Sequence, residues 1–216
     1  MRIHFVFLGE GTSDAGLIPH LEMLCIEAGA EEVTGTALDF GRLPSSIGHS
    51  VADKVRATML LEPNANLYFI HRDADSPDSS PRHNEIDEAT RSCDLKIVHV
   101  SVVPVQETEA WLLLDEEAIR LVAGKPNGRA SLNLPAPESI ETVSRPKEYL
   151  QEALIKASEY SGRRLEKFRA QFPTHRTLLL QRLPTAGTLS QLPAWRRMRD
   201  DTREALNSIR KREAND

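Results

Sequence analysis

Four short apolar runs, at about 3–8, 33–40, 66–71 and 96–103, alternate with stretches of helical spacing, and that alternation leaves this chain few folds to choose from. A strand that rejoins its sheet through a helix lies parallel to its predecessor, with a right-handed crossover. The pattern therefore predicts an α/β protein with a Rossmann-like parallel sheet of about four strands flanked by helices. After the first run, Leu17, Leu21, Leu24 and Ala28 keep one side of a helix apolar. Pro19 sits awkwardly in it, so either the regular helix starts near Ile18 or it is kinked. Val51, Val55 and Met59 mark a second helix over about 47–61, and a third is expected at about 83–93.

Two of the runs break abruptly into carboxylates. The first reads Phe7-Leu8-Gly9-Glu10-Gly11-Thr12-Ser13-Asp14, and the third reads Phe69-Ile70-His71-Arg72-Asp73-Ala74-Asp75. Open α/β sheets gather ligands outside the carboxyl ends of their strands, so acids at two neighbouring ends can face one point. Strand alternation would turn Asp73 and Asp75 to the same side. Glu10 and Asp14, four apart, come close if a helix begins there. The fourth run leads into Pro104-Val105-Gln106-Glu107-Thr108-Glu109-Ala110-Trp111, which puts Glu107 or Glu109 at a further strand end; as plain helix-start acids they would have a second explanation. Clustered carboxylates repel one another unless cations compensate. Four or five acids suit two hard divalent ions, Mg²⁺ or Mn²⁺, better than one.

A strand ending in Gly9-Glu10-Gly11 and a later one ending in Asp73-Ala74-Asp75 resemble the Toprim domain of topoisomerases, primases and certain nucleases. Asp14 makes the first motif a Glu-x-x-x-Asp, similar to OLD-type Toprim nucleases and their free-standing Toprim-like relatives. The Pro-x-x-Glu-x-Glu-Ala-Trp pattern around Glu107 and Glu109 is also theirs, and the resemblance implies a further metal ligand there, Glu109 before Glu107. It implies a divalent-metal-dependent nuclease, an effector in bacterial defence or DNA processing. Asp73 and Asp75 would hold metal, Glu10 would bind metal or act as base, and Asp14 with Glu109 or Glu107 would complete a second metal site. Lys147 matches a Pro-Lys of the family and would, with Arg72, steady the phosphate. The rival implication is a non-catalytic Toprim-like module or toxin subunit working with a separate ABC- or AAA-type ATPase; a nucleotide-binding module without cleavage is a third.

On this reading residues 1–123 form the Toprim-like metal-binding catalytic domain, 124–146 (rich in Gly, Pro, Asn and Ser) a linker or loop, and 147–216 a basic helical extension packed on the core. Charge follows the division. Residues 1–144 hold 11 Lys or Arg against 23 Asp or Glu, whereas 145–216 hold 16 against 9. A basic half can draw in a phosphate backbone that an acidic half repels, although solvated helix faces account for such charges equally well. The helical region is broken at Pro173, Pro184 and Pro193, and Trp195 is expected as a core anchor. No apolar run approaches membrane-spanning length, and two isolated cysteines, Cys25 and Cys93, fit a reducing cytoplasm. His71-Arg72-Asp73 lacks the companions of a kinase loop, Gly124-Lys125 lacks P-loop spacing, and the seven histidines lack zinc spacing.

Overall fold

The structure, a computed structural model, describes residues 1–40, 47–94, 96–185 and 187–215. Residues 41–46, just past the second apolar run, and Asp216, the end of the expected helical extension, lie outside the described residues. Two compact units are present. One comprises Met1–Arg72, Ser80–Val103 and Pro193–Asp216, the other Asp73–Ser79 and Pro104–Leu192.

The first unit holds β1 (Arg2–Leu8), β2 (Glu32–Ala37), β3 (Leu67–His71) and β4 (His99–Val102) in one all-parallel sheet of order β2-β1-β3-β4, the α/β architecture the alternation predicts. A parallel sheet must be covered on both faces. Right-handed crossovers running in opposite directions from β1 to β2 and from β2 to β3 put α1 (Ile18–Glu27) and α2 (Val51–Leu61) on opposite faces. The last helix, α9 (Pro193–Glu213), packs against α1 and β4, while α3 (Ser80–Cys93) packs against α2 and β4. Central strand β1 alternates polar and apolar residues only at its start, Arg2 to His4, and is then buried as an unbroken apolar run from Phe5 to Leu8. Its partner Gly35 must be glycine: a Cβ there would run into the Phe5 ring and lie 2.8 Å from Ile18 Cγ2.

The second unit is helical, built from α4 (Glu109–Leu112), α5 (Glu116–Val122), α6 (Pro146–Ser158), α7 (Gly162–Ala170) and α8 (Phe172–Leu180). Trp111, Ile119, Leu150, Leu154 and Leu180 are its buried centre. Pro19, Pro146, Pro173 and Pro193 all fall in first helical turns, where a missing N–H breaks no helical bond. The break expected at Pro173 is present: α7 ends at Ala170 and α8 begins at Phe172, with Pro173 in its first turn. The stretch 124–146 contains a short 3-10 helix, Pro137–Thr142. Trp195 is buried, and its helix belongs with the sheet rather than with the helices before it in sequence. Among the described residues no helix is long and apolar enough to cross a membrane.

Candidate functional site

β1 ends at Leu8, and the chain turns through Gly9-Glu10-Gly11 into a 3-10 helix, Thr12–Leu17, instead of entering an α-helix at once. A Cβ on Gly9 would lie 3.1 Å from both Asp14 Cβ and Gly11 O, so a larger residue would have to push this tight turn apart by a few tenths of an ångström. Asp14 Oδ2 accepts a hydrogen bond from the Gly11 N–H at 2.9 Å and lies 3.5 Å from Nδ1 of His71, the last residue of β3. Both side chains are buried, Asp14 being 3% and His71 1% exposed. Asp14 thus ties the turn after β1 to the end of β3.

Glu10 is exposed, and its Oε1 lies 2.8 Å from Arg72 Nε. Arg72 Nη1 also donates to Glu85 Oε1 at 3.1 Å. Strand order reverses between β1 and β3, so Glu10 and Arg72 meet at the switch point, where doubly wound sheets bind their ligands. A third group arrives from the first turn of α2: Lys54 Nζ donates to Gly9 O at 3.2 Å. Burial pushes the Lys54 ammonium below its usual value, with Glu10 and Asp14 opposing the shift. Lys54, Glu10, Thr12, Asp39 and His49 help line a cavity of about 800 Å³. Sequence reasoning passed over Lys54, because a lysine on an amphipathic helix reads as solvated. The available signal was topological: in a βαβ unit the first turn of the following helix lies at the carboxyl edge of the sheet.

The other acids lie in the second unit. Asp73 Oδ1 accepts two hydrogen bonds from Thr108, one from N and one from Oγ1, each 2.9 Å. Beside this link, Asp75 N donates to Gln106 O at 2.8 Å and Gln106 N donates to Ser76 O at 3.2 Å. Asp75 and Gln106 both adopt left-handed backbone, φ 53° and 61°, a region that non-glycine residues rarely occupy. The expectation that Asp73 and Asp75 share a side assumed that the strand continued. β3 stops at His71, and the left-handed turn at Asp75 ends any alternation.

Glu107 accepts a hydrogen bond from the backbone N–H of Lys147 at 2.9 Å, in the first turn of α6, where the helix dipole favours an anion. Burial nevertheless pushes its carboxyl above the usual range, and the charges of Glu109 and Asp73 push it further. Glu109 is the first residue of α4 and is buried; its Oε1 lies 2.8 Å from Arg176 Nε of α8. The Lys147 side chain is exposed, and its link to Glu107 runs through its backbone. Asp73, Glu107 and Glu109 therefore share one electrostatic neighbourhood. Among the described residues no three His, Cys, Asp or Glu side chains are gathered as a metal ion would require. Thr108, Arg176 and His71, which hold the expected acids, escaped the sequence because each acts through a partner far along the chain. Comparison of the chain with models of known protein families, with curated proteins and with solved structures finds no match.

Proposed function

We propose that this protein is a divalent-metal-dependent nuclease of the Toprim type that hydrolyses a nucleic-acid phosphodiester. The observation that supports the proposal is the double hydrogen bond from Thr108, which fixes Asp73 where its charge, with that of Glu109, acts on Glu107. Like charges that act on one another, one of them desolvated, favour the approach of a further cation. Their all-oxygen donor set fits Mg²⁺ or Mn²⁺ in kind. Asp73, Asp75, Glu107 and Glu109 would hold such ions, which when bound lower the pKa of the attacking water and stabilise the leaving oxygen.

In the sheet unit, Glu10 and Asp14 carry the Glu-x-x-x-Asp pattern to which the Toprim resemblance assigns the same chemistry. Asp14 fixes the turn that presents Glu10, and Glu10 serves as ligand or base. Arg72 offers a planar donor fork to a phosphate oxygen, and Lys54 a point charge. Lys147 fastens Glu107 by its backbone and keeps its ammonium in solvent, where it can meet the substrate.

Cleavage of end-labelled duplex DNA, single-stranded DNA and RNA with Mg²⁺ or Mn²⁺ tests the proposal. The parent protein should cut in a metal-dependent way. Glu10→Gln and Asp73→Asn should each slow cutting by on the order of 10–100-fold or more. Undiminished cutting by both variants refutes the mechanism. A parent that cuts nothing alone, but cuts when a partner ATPase is supplied, favours the reading as one subunit of an ATPase-driven system.

A further inference from the structure

The basic half of the chain does not offer its charge evenly. α9 holds seven Lys or Arg, yet Arg197, Arg199 and Arg203 lie 3.7, 3.5 and 3.1 Å from its own Asp201 and Asp200. α7 is different. Gly162–Ala170 holds Arg163, Arg164, Lys167 and Arg169 against a single acid, Glu166, and all four cations are exposed. Among the described residues none of the four has a carboxylate within ion-pair distance.

One of these cations is nonetheless rigidly held. The Arg164 guanidinium lies over the Tyr160 ring, 3.9 Å from its centroid, and its Nη2 donates to the Tyr160 hydroxyl at 2.9 Å. Tyr160 is braced edge-on by Phe168, their centroids 5.6 Å apart, and Phe168 rests against His175 at 4.2 Å. A guanidinium ordered by stacking keeps its full charge and an outward donor edge. Glu159 and Gly162, at φ 55° and 54°, make the sharp turn from α6 into α7, and the Ser161 side chain leaves the first turn of α7 uncapped.

We propose that α7 is the docking surface for the phosphodiester backbone of a nucleic acid. This inference rests on the nuclease reading and names where its substrate is gripped. Arg163 and Lys167 stand one helical turn apart, about 6 Å along the axis, with Arg164 beside them, so successive phosphates can be met along one edge. The planar face of Arg164 can also stack on an unpaired base. An anionic membrane is disfavoured as occupant because Phe168, the aromatic residue of α7, is turned inward, leaving no exposed aromatic group on the helix to insert.

Fluorescence anisotropy with labelled 20-mer duplex DNA, single-stranded DNA and RNA, in EDTA to prevent turnover, tests this on the full chain. The triple variant Arg163→Gln/Arg164→Gln/Lys167→Gln should weaken binding at least about tenfold and flatten the slope of log affinity against log salt by about two to three, since each lost phosphate contact removes nearly one. Its thermal melting should match the parent's. An α9 control of equal charge change at the cations that face its own aspartates, Arg197→Gln/Arg199→Gln/Arg203→Gln, should weaken binding less than about twofold. If the parent binds and the α7 variant binds equally well with an unchanged slope, the surface is wrong and the nuclease reading stands. If the parent binds none of the three probes, both fall together. Displacement of bound nucleic acid from α7 by anionic vesicles at equal charge concentration would also overturn the assignment.

Discussion

Glu109 is both an expected metal ligand and the buried partner of Arg176, and removing it separates the two roles. The pair is 2.8 Å apart, with the side chains only 5% and 10% exposed, so solvent and salt screen it little. Glu109→Ala would take a carboxylate partner away from a buried guanidinium, and breaking a buried pair from one side costs about 3–5 kcal/mol. For a chain of this size each kcal/mol moves the melting midpoint by about 2–4 °C, so the loss should be about 6–20 °C in the absence of metal. Arg176→Ala should fall by a similar amount, because it leaves Glu109 uncompensated beside Glu107. Replacing both, as Glu109→Leu with Arg176→Met, should recover most of the loss, since a volume-matched apolar pair often equals a buried ion pair in stability. Urea and thermal denaturation of the four proteins close a double-mutant cycle. If Glu109→Ala leaves the metal-free melting midpoint unchanged or raises it, Glu109 is not the counter-ion of Arg176. Repeating the melts with Mn²⁺ supplies the second readout: loss of the metal-induced stabilisation in Glu109→Ala, with retention in Arg176→Ala, would make Glu109 a ligand.

Two further expectations concern the sheet unit. His83 is 6% exposed, and burial pushes its pKa from 6.5 down to about 4, with Arg197 adding to the shift and Asp87 opposing it. Between those values the unfolded chain carries a proton that the folded chain lacks. Stability from this group is therefore complete above pH 6.5 and lost as pH falls toward 4, by on the order of 3 kcal/mol. Urea midpoints from pH 4 to 7 should be less pH-dependent in His83→Gln than in the parent, and identical slopes would exclude the effect. Gly35→Ala should destabilise by about 1–3 kcal/mol in equilibrium unfolding, because the added methyl meets the Phe5 ring and Ile18 from two sides; a variant as stable as the parent would mean that β2 can shift to admit it.

The elements that were legible in the sequence are those whose burial follows a local period. β3 is buried along its length and β1 from Phe5 to Leu8, and both read as short apolar runs; Val51 and Val55 fix α2; Pro19 falls at the start of α1, one of the two placements its ring allows. Strand ends were less legible, because they depend on the partner. The ladder bond from Arg72 N to Val102 O is followed by contacts from Ala74 N to Pro104 O and Asp75 N to Gln106 O, but the left-handed turns at Asp75 and Gln106 break the alternation that aimed both aspartates together. The Glu109 partner lies 67 residues downstream, beyond any periodicity. Trp195, Met198, Thr202, Ala205, Leu206 and Ile209 announce that α9 buries one face, yet nothing in their spacing says that a sheet, rather than the preceding helices, lies against it.

Net charge by segment was a poor guide for the same reason: a charge matters to a ligand only insofar as the fold has left it without a stronger partner. The arginines of α9 that face its own aspartates present little field, whereas the four cations of α7 keep theirs. The acids sort by the same test. Glu109 faces a buried guanidinium and is the hardest to redirect toward an ion. Glu10 faces Arg72 near the surface, in a pair of the kind that contributes at most about 1 kcal/mol, so an incoming phosphate or cation can rearrange it cheaply. Glu107 is held by a helix terminus and drawn by the Lys147 charge, but it is desolvated and repelled by two acidic neighbours, so a further cation gains most there. Metal-dependent stabilisation should consequently fall furthest on losing Glu107 or Asp73. The cleavage rate, in contrast, should be sensitive to Glu10, whose release from Arg72 supplies both a carboxylate and a guanidinium to the reaction.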